Sequence, residues 1–124
     1  MNYQLFYNLL RENFLFQPTL KQDIFLQKIA NYLINSTSED IFVLKGYAGT
    51  GKTTIISNVI NSIHNIEMKC VLLAPTGRAA KVISNYSGKP AFTIHKRIYY
   101  PKKNKFGGVS FTLQQNKFKN TLFI

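Results

Sequence analysis

Hydrophobic positions change period several times along the chain, and each change predicts an element. Tyr3, Phe6, Tyr7, Leu9 and Leu10 recur at helical spacing and predict a first helix over residues 3–12. Phe14-Leu-Phe-Gln-Pro18 interrupts it. Thr19-Leu-Lys-Gln22 has the form of a capping box, and it opens a second helix with Leu20, Ile24, Phe25, Ile29 and Leu33 towards a core. Asn35-Ser-Thr-Ser38 ends that helix. An apolar, β-branched run at 41–45 then reads as a buried strand. Ile55, Ile56, Val59, Ile60 and Ile63 return to helical spacing, and His64-Asn65 closes the helix, His64 as a cation at its carboxyl end. Cys70-Val-Leu-Leu-Ala74 is continuous, as expected of a strand covered on both faces in a parallel sheet. Strand, helix, strand at this spacing is a βαβ unit and predicts an α/β sheet.

Beyond residue 74 the predicted elements shorten. A helix over about 79–87 is stopped by Gly88-Lys-Pro90. Thr93 can cap another helix, Ile94 to Tyr100. Gly107-Gly108, between a lysine-rich stretch and Val-Ser-Phe-Thr-Leu113, predicts a hairpin within 101–119. Thr121-Leu-Phe-Ile124 reads as the start of a third apolar strand.

Between the 41–45 run and the helix after it stands Gly46-Tyr-Ala-Gly-Thr-Gly-Lys-Thr53, the spacing of a phosphate-binding glycine loop. Glycines lack the Cβ that would keep backbone N–H groups from converging on an anion. The new helix turns its positive end to the same place. Lys52 would reach the outer phosphates and the Thr53 hydroxyl would hold Mg²⁺, so ATP with Mg²⁺ is the expected ligand. Such an ATPase also needs an acid at the end of a further core strand. Glu67 falls in a predicted loop, and Glu39 and Asp40 precede the first strand, so none of the chain's carboxylates meets that need.

Charge divides the chain. Residues 1–67 carry five basic and five acidic side chains; residues 68–124 carry eleven basic and none acidic, which accounts for the net charge of +11. A half of one sign suits a polyanion such as nucleic acid, and equally a solvated basic surface. The same two readings apply to 101–119: interleaved lysines and aromatics suit single-stranded nucleic acid, and also an edge hairpin guarded against pairing. The lone cysteine, Cys70, gives no disulfide or metal cluster and fits a reducing compartment. No run approaches the roughly 20 apolar residues that span a bilayer, so a cytoplasmic chain without membrane contact is expected. Pro75-Thr-Gly-Arg-Ala-Ala80 follows the Cys70–Ala74 strand at its carboxyl end, where open α/β sheets bind ligands. This loop is expected on the same edge as the glycine loop, and Thr76, Gly77 and Arg78 there could hold a phosphodiester.

In this order, Gly46–Thr53, Ala74-Pro-Thr-Gly-Arg-Ala-Ala80 and Thr93-Ile-His95 resemble motifs I, Ia and Ic of superfamily 1 DNA helicases. The Thr-Gly-Arg-Ala-Ala wording resembles the RecD-like branch, which moves 5′ to 3′ on single-stranded DNA. The resemblance runs from about Leu15 to Ile124 and covers the first half of the first motor domain. It implies a RecA-like P-loop NTPase fold, incomplete: a parallel sheet flanked by helices over 15–124, preceded by a helix within 1–14 and carrying 101–119 as an insertion. It implies that Gly46, Ala48, Gly49, Thr50, Gly51, Lys52, Thr53 and Thr54 hold ATP, with Lys52 and Thr53 catalytic and Thr53 on Mg²⁺. Gln22 matches the glutamine that reads adenine, a role compatible with its capping box. Thr76, Gly77, Arg78, Thr93 and His95 match contacts to single-stranded DNA. In the family an aliphatic residue and Asp-Glu follow a strand like Leu122–Ile124, so a partial helicase sequence is expected, with roles in DNA repair and recombination and with partner subunits left open. The competing expectation is a module that binds nucleotide or DNA without turnover.

Overall fold

A computed structural model describes residues 1–46 and 51–124. The chain separates into two compact units, Met1–Glu67 and Met68–Ile124.

The first unit is built from three helices. α1 (Tyr3–Glu12) starts at Asn2, whose side chain accepts the Leu5 N–H, and it buries Phe6, Tyr7 and Leu10. α2 (Leu20–Asn35) starts with the full capping box: Gln22 N–H donates to the Thr19 hydroxyl, and Thr19 N–H donates to Gln22 Oε1. Its buried face is Phe25, Leu26, Ile29, Ala30 and Leu33. Leu20 and Ile24, expected in that face, are exposed, because the buried stripe runs one position later, through Leu26 and Ala30. α3 (Lys52–Ser62) buries Ile55, Val59 and Ile60, and a 3-10 turn (Ile63–Ile66) containing His64 follows it. Polar bonds fix the helices to one another. Tyr7 donates to Asp23 Oδ1 at 2.5 Å, and Arg11 donates to both, which joins α1 to α2. The Tyr7 hydroxyl and then the Asp23 charge raise the Arg11 guanidinium above its usual pKa. Buried Asn58 donates to the Leu10 carbonyl at 2.9 Å, which joins α1 to α3.

The strand expected at 41–45 is absent. Residues 41–46 form no strand ladder, and Ile41 and Val43 are 86% and 67% exposed. An apolar run becomes a strand only when a neighbouring backbone takes its N–H and C=O groups, and no described segment of the chain pairs with this one. Phe42 instead packs edge-on against Phe25 and lies tilted against Tyr32.

The second unit holds a three-stranded sheet of β1 (Lys69–Ala74), β2 (Ala91–Thr93) and β5 (Thr121–Phe123), in the order β2-β1-β5 and parallel throughout. Val71 and Leu72 are successive and both buried, so the central strand is covered on both faces. α4 (Gly77–Ser87) crosses from β1 to β2 and ends at Gly88, in the left-handed conformation with φ 69°. The βαβ unit is therefore β1-α4-β2, not one led by residues 41–45. α5 (Ile94–Ile98) is shorter than its apolar pattern predicts, since Tyr99 already begins β3 (Tyr99–Lys103). β3 pairs antiparallel with β4 (Val109–Leu113), and Gly107 turns the hairpin at φ 83°. The architecture is mixed α/β, a parallel sheet flanked by helices, in keeping with part of a RecA-like P-loop fold.

Candidate functional site

Two groups of predicted site residues are placed by local structure, one in each unit.

In the first unit, Gly51 adopts φ 81° and stands at the amino end of α3. A side chain there would be strained, and a Cβ would also come 3.0 Å from Gln22 Nε2. Gln22 and Gly51, 29 positions apart in sequence, thus meet. The glutamine's Oε1 is engaged by Thr19 N–H, which leaves its Nε2 amide turned to Gly51. α1, α2, α4 and α5 each begin with a side-chain cap, whereas α3 has none. An eleven-residue helix whose first turn has no side-chain cap suits an anion there. Lys52, the first residue of α3, donates through Nζ to the Gly46 carbonyl across the loop. Thr53 is exposed and Thr54 is half-buried in the same first turn. Ala48, Gly49 and Thr50, with Tyr47, lie outside the described residues.

In the second unit the sheet register does the gathering. Ala74 pairs with Thr93, so β1 and β2 end side by side. Each passes directly into a capped helix. Thr76 Oγ1 accepts the Ala79 N–H at 3.1 Å to start α4, and Thr93 Oγ1 accepts the Lys96 N–H at 3.2 Å to start α5. Thr76, Gly77 and Arg78 are exposed at the first carboxyl end. His95 is exposed at the second, its ring 5.4 Å from those of Tyr99 and Phe111. This aromatic neighbourhood was not legible in sequence, because Phe111 reaches His95 only through the pairing of β3 with β4. The proximity of Gln22 to Gly51 gave no sequence signal either.

Cationic and neutral donors at two adjacent strand ends, with aromatic faces beside them, can bind a chain of phosphates and bases. Uncapped helix amides, a lysine and an alcohol around a glycine turn can bind a polyphosphate and a divalent cation. No helix among the described residues is long and apolar enough to cross a membrane.

Comparison with known proteins adds a family. A family described as an AAA domain matches residues 28–124. The ATP-dependent RecD2 DNA helicase of Deinococcus radiodurans is 32% identical over 71 residues, 57% of this chain and 10% of that protein. The ATP-dependent DNA helicase dda of Enterobacteria phage T4 is 43% identical over 53 residues, 42% of this chain and 12% of that protein. An uncharacterized protein of Methanocaldococcus jannaschii is 32% identical over 80 residues, 61% of this chain and 7% of that protein. The chain thus spans about a tenth of the length of these relatives. No solved structure matches it. Matched over well above half its length, the chain belongs to the AAA domain family.

Proposed function

We propose that this chain is the amino-terminal part of the motor of an ATP-dependent DNA helicase of superfamily 1, in its RecD-like branch. The observation that carries the reading is the meeting of Gln22, Gly51 and Lys52 at the uncapped start of α3. It supplies a place for the base and for the phosphates at once. The names of the two helicase relatives support the choice of motor.

In this reading Lys52 leaves the Gly46 carbonyl for the β- and γ-phosphates. The N–H groups of Lys52, Thr53 and Thr54 face the same anion. Gln22 Nε2 donates to the adenine while its Oε1 keeps the α2 cap. The Thr53 hydroxyl would hold Mg²⁺, which supplies charge neutralisation between the phosphates when bound. Ala48, Gly49 and Thr50, with Gly46, complete the glycine cradle. Thr76, Gly77, Arg78, Thr93 and His95 hold single-stranded DNA at the carboxyl ends of β1 and β2. Residues 15–124 are then half of a motor domain, with 1–14 a helix before it and 101–119 an insertion, working in the cytoplasm in repair or recombination.

The test follows both ligands on the 124-residue chain. Labelled oligodeoxythymidylate should bind with a steep salt dependence. Arg78→Gln should weaken that binding several-fold, leaving binding of a fluorescent ATP unchanged. Absence of DNA binding by the unaltered chain would contradict the reading. DNA binding with no nucleotide binding in Mg²⁺ would favour the second reading, a module without turnover, for which the eleven basic and no acidic side chains of residues 68–124 speak.

A further inference from the structure

Residues 68–124 contain no Asp or Glu, so no basic side chain of the second unit can find a carboxylate side chain within it. Most of those cations are lysines on the surface. Arg97 is held differently. Its guanidinium carbon lies 4.4 Å from the ring centroid of Phe92, on β2, and 5.3 Å from that of Phe118, in the connection between β4 and β5. Phe118 is itself fixed, edge-on to Phe123 of β5 at 5.5 Å. Two aromatic rings therefore orient this cation from two separate segments. Their faces offset part of the loss of water, but they accept no hydrogen bond in the guanidinium plane. The consequence is visible at Nε, which is buried and has no hydrogen-bond partner among the described residues. A side chain needed only to fill space between two phenylalanines would carry no donors. An oriented guanidinium that lacks an acceptor suits an oxyanion that can offer it two oxygens, as a phosphate does.

We propose that Arg97 is a further phosphate contact for single-stranded nucleic acid, held ready by Phe92 and Phe118. The proposal rests on the reading of Thr93 and His95 as DNA contacts. Arg97 stands two residues after His95 on the short α5, so the two project from different sides of it. His95 reaches the hairpin through Tyr99 and Phe111, whereas Arg97 faces the 114–120 connection, which carries Lys117 and Lys119. A strand held by both would run across α5 from the hairpin side to the connection.

Anisotropy of labelled oligodeoxythymidylate, measured across a salt series on the 124-residue chain, tests this. Arg97→Gln is expected to weaken binding about tenfold. It should also make the plot of log Kd against log salt shallower by roughly 0.7, the value of one phosphate contact on a single strand. Arg97→Lys, which keeps the charge but loses the planar donors, should restore most of the slope and only part of the affinity. An unchanged affinity and slope in Arg97→Gln, with the unaltered chain binding normally, would overturn the proposal and leave the DNA-binding reading standing. No binding by the unaltered chain would overturn both. A measurement without substitution guards against loss of fold: the Arg97 Nε–H resonance of the unaltered protein should shift on titration with the oligonucleotide. An unmoved resonance, while backbone amides near Thr93 shift, would mean that Arg97 is only a clamp.

Discussion

Gly51 concentrates the most demanding geometry in the first unit. Its φ of 81° is costly for any residue with a Cβ, and the nearest atom to such a Cβ, Gln22 Nε2, belongs to a side chain already committed to the Thr19 cap. The glutamine must give by a few tenths of an ångström to make room. Gly51→Ala should therefore destabilise the chain by about 1–2 kcal/mol from the left-handed backbone alone, more where the cap is lost too. Chemical denaturation read by circular dichroism checks it; unchanged stability would mean that the loop takes another conformation. At this scale the sequence was informative in chemistry and silent in geometry. Gly51, Lys52 and Thr53 stood out as candidates because their spacing is itself the signal. Gln22 was legible as a cap, and its approach to Gly51 was not, since it depends on how α2 and α3 pack. The aromatic surroundings of His95 and the clamp on Arg97 were hidden for the same reason.

Elements were most legible where one residue sets a boundary. Thr19, Thr93 and Gly88 each stand where the pattern put them, because capping is decided within three or four residues, whereas Thr76 starts α4 ahead of the expected 79. Thr19→Ala removes the hydroxyl that accepts the Gln22 N–H while keeping the backbone N–H that donates to Gln22 Oε1, and should cost about 1 kcal/mol, with faster hydrogen exchange confined to the first turn of α2. Exchange unchanged at Leu20 to Asp23 would show that the box contributes nothing. Strands fared worse, since their hydrogen bonds come from elsewhere in the chain. The run at 41–45 has strand composition and no ladder. Ala91–Thr93 has no strand signal in sequence and acquires its pairing from β1. The burial of residues 41–45 alternates, with Phe42 and Leu44 partly covered and Ile41 and Val43 exposed, in place of the buried strand expected there.

Across the whole molecule, two units divide the chemistry as charge divides the sequence. The boundary after Glu67 is also the position of the last acidic residue. The second unit depends on a small core. Leu72, 1% exposed on the central strand, is among its most buried side chains, and Leu72→Ala should destabilise it by about 2–5 kcal/mol. Loss of DNA binding with nucleotide binding retained would follow if the units unfold independently. A single cooperative loss of both would show that they fold as one.

The measurement closest to the central claim is calorimetric titration of the 124-residue chain with ATP and Mg²⁺, beside Lys52→Ala. Lys52 is half-buried at the start of α3 and donates to Gly46 of its own loop, so its removal should leave the helical signal intact. Saturable binding of one nucleotide by the unaltered chain is expected, with a loss of about tenfold or more in the variant. Equal affinity in the two chains, with both folded, would contradict the claim.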